Sequence, residues 1–360
     1  MNVLTRRNFV RSAAAASALP LLGRSAFADE PLKIGYIYLG PVGDYGWTWA
    51  HNKGRKAMLD DAALKGKVTA DYVENVNEDA SAIPVIKDLA AQGHKLIFTT
   101  SFGYMDQTLE VAKDFPDIKF EHCTGYKHAP NVGTYNNRFH EGRAACGTIA
   151  GLMSKTDTIG YLGSFKVPEV VLGVNSFALA AQAQNPNIKV KLVMIDSWFD
   201  PAKESAAAET LANLGCDVVT THTDSPAALQ VLEKKKLYGF GQGADMSKFA
   251  PHAHLTAIED IWGPYYISRA QAMLAGKWEP DDAWWGIKEG AVTLAPYNKA
   301  LPANVVAASD KVVNGYKDGS YDVFTGPIYD QAGTLKAPKG ERISLKDLAT
   351  IDWYVKGVQS

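Results

Sequence analysis

The sequence predicts an α/β protein of two similar Rossmann-like lobes, each a parallel sheet with helices on both faces, joined by a multi-strand hinge. Three observations carry this. Short β-branched runs alternate with helical segments of ten or more residues, which is the pattern of parallel sheets. The alternation pauses after residue 122 and starts afresh near residue 158. The 360 residues suit two domains at about 150 residues each.

Each element has its own signal. Leu32–Tyr38 is an apolar run ending in a Gly/Pro turn, so it reads as a buried strand. Trp47–Leu64 carries apolar and small residues at helical spacing, and Val68–Val73 is the next strand. Ala80–Gln92 is a helix stopped by Gly93, Lys95–Thr100 a strand, Asp106–Phe115 a helix and Lys119–His122 the start of a strand. The second set runs Thr158–Leu162, Val170–Gln184, Val190–Ile195, Pro201–Leu214, Asp217–Thr221, Ala227–Lys234 and Tyr238–Gly241, strand and helix in turn. Trp262–Ala275 is a helix, Gly290–Leu294 a strand and Ser309–Lys317 a helix, before a turn-rich tail ending in Trp353-Tyr354-Val355. No Pro/Ser-rich linker separates the sets, so short strand-like hinges are expected. The expected division is 29–137 with about 264–322 in one lobe, and 138–263 with about 323–360 in the other.

Composition narrows the function. The net charge of −2 gives no electrostatic reason to bind nucleic acid or anionic lipid. Three cysteines make no disulfide framework, and no C-x-x-C or His/Cys cluster points to zinc. The charge is uneven. Residues 1–28 hold Arg6, Arg7, Arg11 and Arg24 and no acid, which leaves 33 basic and 39 acidic groups and a net of −6 for the rest. A basic start, the small apolar run Ala13–Leu22 and Ala26-Phe27-Ala28 describe a secretory signal cleaved near Ala28. The apolar run is too short for a permanent membrane span. Thr5-Arg6-Arg7-Asn8-Phe9-Val10 fits twin-arginine export, the alternative being a chance Arg-Arg in an ordinary signal. No cysteine stands at the cleavage site, so no lipid anchor is expected and the mature chain should be a soluble periplasmic monomer. Cys123, Cys146 and Cys216 then read as buried thiols.

Ligands in open α/β sheets sit beyond the carboxyl ends of strands, and in two lobes those ends can face each other across a cleft. The loop Gly40-Pro41-Val42-Gly43-Asp44-Tyr45-Gly46-Trp47 stands at such an end. It lacks the phosphate-binding G-x-G-x-x-G spacing, and Asp44 would repel a phosphate. It reads either as a turn with an N-cap or as a seat for a flat heterocycle, with Trp47 giving a face and Asp44 accepting N–H bonds. Ser197-Trp198-Phe199-Asp200 holds the equivalent place in the second lobe, where Asp200-Pro201 also suits a helix start. Two tryptophans, one per lobe, could sandwich a planar ligand at roughly 1 kcal/mol per face. Phe102, Gly103, Asn137, Asp224, Gln242, Asp245, Asp260 and Trp262 stand at or near other strand ends, as do His122 and His222. There is no G-x-S-x-G elbow, H-E-x-x-H or P-loop, and His252-x-His254 has no third partner for a metal. No cofactor, metal or catalytic residue is expected.

An ordered set of short motifs runs along the chain. In the first half these are Asp44-x-x-Trp47, Arg138-x-x-Glu141-Gly142 and Gly147-x-x-Ala150-Gly151. Asn185-Pro186, Ser197-Trp198-x-Asp200-Pro201 and Gly215-x-Asp217-Val218 follow, then Lys317-Asp318-Gly319, Phe324-x-Gly326-Pro327 and Asp352-Trp353-Tyr354-Val355. With this set the chain resembles the basic membrane protein family, also called the purine nucleoside receptor family, of periplasmic substrate-binding proteins for ATP-binding-cassette importers. The resemblance implies a type I periplasmic-binding-protein fold, a permease partner and two stacking aromatics, at Trp47 and Trp198. The family's ribose-binding Asp corresponds to Asp245. Two departures stand against a ribose: Cys123-Thr124-Gly125-Tyr126 where nucleoside receptors carry another Asp, and Glu259-Asp260 where they carry a Lys. Asp260-Ile261-Trp262-Gly263-Pro264-Tyr265-Tyr266 looks like the branch that takes free nucleobases.

The expected function is therefore capture of a purine base, adenine first, by hinge closure for an importer. Asp44, Asp245 and Asp260 would accept from ligand N–H groups, Asn137 and Gln242 would donate to ring nitrogens, and Tyr45, Phe102, Gly103 and Trp262 would line the cleft. Binding of a purine nucleoside for import, a nucleoside hydrolase-type enzyme and a sensing receptor are the alternatives.

Overall fold

The computed structural model describes residues 30–43 and 45–360. The expected export signal and Asp44 lie outside the described residues.

The chain runs β1 (Leu32–Ile37), α1 (Gly46–Asp60), β2 (Val68–Val73), α2 (Ala82–Ala91), β3 (Leu96–Thr99), α3 (Met105–Asp114), β4 (Lys119–Cys123) and β5 (Val132–Asn137). It continues with α4 (Phe139–Met153), β6 (Thr158–Gly163), α5 (Pro168–Gln184), β7 (Lys189–Met194), α6 (Pro201–Asn213), β8 (Val218–Thr221), α7 (Ala227–Lys235), β9 (Tyr238–Gly243) and β10 (His254–Asp260). Then come α8 (Gly263–Leu274), β11 (Asp282–Trp285), β12 (Val292–Leu294), α9 (Ala303–Asp318), the short pair β13 (Ile328–Tyr329) and β14 (Leu335–Ala337), α10 (Leu345–Leu348) and β15 (Val358–Gln359).

Two large sheets result. The first has strand order β11-β5-β4-β3-β1-β2, with every pair parallel. The second has order β12-β10-β9-β8-β6-β7-β15, parallel except where β12 meets β10. Strands covered on both faces should be apolar throughout, and β3, with Leu-Ile-Phe-Thr all buried, is such a strand. The chain passes between sheets after β5, after β10 and between β11 and β12, so three short crossings form the hinge.

Helix α4 is buried on nearly every side, thirteen of its 15 residues being inaccessible. It packs along α5 at glycines. A Cβ on Gly147 would lie 2.4 Å from the Phe177 carbonyl oxygen, and one on Gly151 equally close to that of Ala181. The Gly147-x-x-Ala150-Gly151 motif is thus a close helix–helix contact. With so little polar surface, α4 has no amphipathic stripe, which is why periodicity does not reveal it.

One boundary expectation is corrected. Residues from about 264 to 322 are expected in the first lobe, but β12 pairs with β10 in the second sheet. Val305, Val312 and Tyr316 of α9 share a core with Ala145, Ile149 and Phe177. A three-residue antiparallel edge strand carries no signal for which sheet it joins. Helix α8 does belong with the first sheet, its Tyr265, Tyr266 and Ala270 packing with Tyr36, Ala50 and Phe98.

Candidate functional site

Carboxyl ends of strands from both sheets converge on one cavity. The first lobe supplies Leu39 and Trp47 after β1, Ser101 and Phe102 after β3, and Thr124 after β4. The second supplies Glu169 after β6, Trp198 after β7, His222 and Asp224 after β8, and Gln242 at the end of β9. An outer hollow continues past Tyr45, Trp47, Glu78, Trp198 and Phe199 to the surface.

The lobes touch, so the cleft is closed. The Trp47 backbone N–H donates to Asp224 Oδ1 at 3.3 Å, and Trp198 Nε1 donates to Glu78 Oε2 at 3.1 Å, both across the cleft. Gly46 has φ +80°, and a Cβ there would sit 2.7 Å from the Asp224 carbonyl oxygen. Only glycine combines that left-handed backbone with that approach. Tyr45 crosses to meet Phe249 edge-on at 5.0 Å.

Both tryptophans line the cavity with the indole N–H already bonded within the protein. Trp47 Nε1 donates to the Thr100 carbonyl at 2.6 Å, and Trp198 Nε1 is held by Glu78. Trp47 is further braced edge-on by His51 at 4.6 Å and Trp262 at 5.4 Å. Beneath it His51 stacks on Trp262 at 4.4 Å and meets the Tyr266 hydroxyl at 2.5 Å through Nδ1. Burial holds that imidazole neutral, its pKa well below the ordinary value.

The cavity is rich in carboxyls. Burial, with the charges of Asp260, Asp224 and Glu78, pushes the Glu169 carboxyl up to about 8. Burial, with the charge of Glu204 next in effect, does the same to Asp224, also to about 8. Asp260 rises to about 7 through burial, with Arg143 opposing. Neither Asp260 oxygen has a hydrogen-bond partner among the described residues. His222, kept neutral by burial, lies between the Tyr161 hydroxyl (2.8 Å from Nδ1) and Glu169 Oε1 (3.3 Å from Nε2). Neighbouring carboxyl charges add to burial in holding the Glu169 and Asp224 carboxyls up.

The structure places Trp47, Trp198, Phe102 and Gln242 on the cavity and Tyr45 on the outer hollow. Gly103 stands behind the wall, its N–H donating to Glu78 Oε1 at 2.8 Å. Trp262 is buried under Trp47 as a support. Asn137 ties a hinge crossing, its Nδ2 donating to the Ala291 carbonyl at 3.0 Å, and Asp260 is buried at the foot of another. Asp245 is not brought to the cavity. Gly243, with φ +73°, turns the chain away after β9, and Asp245 accepts from the Ser247 N–H at 2.8 Å beside a separate surface hollow. Glu169 and Asp224 are the second-lobe carboxylates that line the cavity. Sequence reasoning missed Glu78, Glu169 and Arg143. Glu169 looks only like a favourable acid in the first turn of α5, and Arg143 sits in the unrecognised α4.

His252 and His254 diverge, His252 exposed against Glu233 and His254 buried 4.0 Å from Asp245. Among the described residues no group of His, Cys, Asp and Glu could hold a metal ion, and all three cysteines are buried and free.

Residues 32–318 match the family of PnrA-like ABC transporter substrate-binding proteins. The chain belongs to this family. A purine-binding protein of Brucella abortus is 50% identical over 94% of this chain and 96% of its own. A Haloferax volcanii protein named for glucose binding in an ABC transporter is 32% identical over 84% of this chain and 76% of its own. The solved structure of an ABC transporter solute-binding protein from Conexibacter woesei superposes with TM-score 0.66 at 19% identity, covering 81% of this chain and 98% of that one. The fold is that of the type I periplasmic binding proteins. Membership implies a small-molecule ligand and a permease partner. No helix among the described residues is long and apolar enough to cross a membrane.

Proposed function

We propose that this substrate-binding protein captures a purine base, adenine first, between Trp47 and Trp198 and delivers it to an ABC permease. The carrying observation is that each lobe sets one tryptophan on the same closed cavity, with its indole N–H already bonded within the protein. What remains for a ligand is two aromatic faces and a rim of carboxyls. A planar, N–H-rich heterocycle fits that chemistry: stacking contributes about 1–3 kcal/mol per base by truncation, and the carboxyls accept its N–H groups. The 50% identical purine-binding relative supports the same reading.

Closure follows from the same groups. Bringing the lobes together buries Glu169, Asp224 and Asp260 near one another, which costs free energy while they lack partners. A ligand that donates to them offsets that cost and shifts the population to the closed form, where the Trp47–Asp224 and Trp198–Glu78 bonds latch the lobes. No catalytic acid–base pair is assigned. The mature chain is read as a periplasmic monomer exported by a twin-arginine signal cleaved near Ala28.

The test is mass spectrometry of ligand carried through native purification. A co-purifying purine base supports the reading. A co-purifying hexose, or turnover of added adenosine or inosine by the pure protein, overturns it.

A further inference from the structure

Arg143 is wholly buried in α4, directly behind the cavity wall. None of its hydrogen bonds goes to a carboxylate. Its Nη1 donates to Thr220 Oγ1 at 2.6 Å, and its Nη2 donates to the Thr221 carbonyl at 2.8 Å and to Oε1 of Gln242. The guanidinium lies over the Tyr161 ring, 5.3 Å from its centre. Burying a cation with neutral acceptors is costly, and a residue serving packing alone would be aliphatic.

A guanidinium has five donors and no acceptor. The Gln242 atom that meets it must therefore be the oxygen, which fixes the amide and leaves Nε2 on the other side. Gln242 is 2% exposed and lines the cavity. Its Nε2 has no hydrogen-bond partner among the described residues, since its one side-chain bond is the one from Arg143. An unpaired amide N–H₂ facing an enclosed space is a donor without an acceptor. Elsewhere the cavity offers Glu169 and Asp224 for ligand N–H groups.

We propose that Arg143 is a positioning residue that locks the Gln242 amide with its N–H₂ toward the ligand, so that the site demands a hydrogen-bond acceptor, a ring nitrogen of a free purine base, at that point. This rests on the purine reading. It makes Gln242 a specificity-determining contact and Arg143 the group that sets its polarity.

The test uses calorimetric affinities of the full mature chain for adenine and for 1-deaza-, 3-deaza- and 7-deazaadenine, each with one ring nitrogen replaced by C–H. The wild-type protein should lose roughly tenfold or more on one of the three, the cost of one unmade buried bond. In Gln242→Glu, where Arg143 keeps a partner and the fold is preserved, adenine itself should weaken by roughly tenfold or more. There the sensitive deaza analogue should bind as well as adenine. Arg143→Lys, which cannot hold the amide through a planar fork, should shrink the same discrimination. Equal binding of all three analogues by the wild type, or a discrimination unchanged in Gln242→Glu, overturns the proposal while leaving purine binding intact. Absence of adenine binding by the wild type removes the purine reading and the proposal with it.

Discussion

Trp198 makes two contributions that can be measured apart. One is its ring face on the cavity; the other is the 3.1 Å bond from Nε1 to Glu78 that ties the lobes together. Trp198→Phe keeps an aromatic face but removes the donor. A hydrogen bond to a charged group contributes about 1.5–3 kcal/mol, so affinity for adenine should fall roughly 10- to 150-fold. Trp198→Ala removes the face as well, adding about 1–3 kcal/mol. The alanine variant should therefore bind weaker than the phenylalanine variant by a further factor of roughly 5 to 150. Trp198 is the better probe than Trp47, because Trp47 also braces His51 and Trp262 in the first-lobe core and its loss would destabilise the fold. Isothermal titration of the three proteins with adenine, with melting temperatures measured alongside, gives both steps. Equal affinities for the phenylalanine and alanine variants would refute stacking on Trp198. Equal affinities for wild type and phenylalanine would refute the latch.

Other outcomes follow from the same geometry. The raised carboxyls of Glu169 and Asp224 mean the closed, empty cleft holds protons that an open cleft releases. Closure without ligand should become less favourable as pH rises from their ordinary range near 4 toward about 8, and small-angle X-ray scattering of the empty protein across that window checks it. Saturating adenine, by donating to the carboxylates, should make that dependence shallower. Asp245→Ala should leave adenine affinity within about twofold, because Asp245 lies outside the cavity; a loss of tenfold or more, by about 1.4 kcal/mol, would return it to the site. Gly147→Val should destabilise by about 1–3 kcal/mol or prevent folding, since its Cβ would press into the Phe177 carbonyl, and chemical denaturation reads this directly.

Much of the fold was legible because the parallel strands and amphipathic helices announce themselves locally. The apolar run at Leu96–Thr99 and the Gly93 stop before it need no tertiary context. Helix α4 and strands β5, β10 and β11 were not separately legible. Their residues are buried on all sides or mixed with polar groups that the hinge satisfies, such as Asn137 bonded to Ala291. The site was half visible. Trp47 and Trp198 could be placed because each follows directly on a turn at a strand end. Asp245 was misplaced because one left-handed glycine re-aims the chain, and no pattern of residue types states that angle. Glu169 and Arg143 were missed for a different reason: their meaning lies in partners 53 and 99 residues away, His222 and Gln242.

The most direct measurement is titration of the purified, ligand-stripped chain with adenine and, in parallel, with glucose. One saturable site for adenine and no heat with glucose is the result the two-tryptophan cleft predicts. Saturable glucose binding with no response to adenine would contradict it.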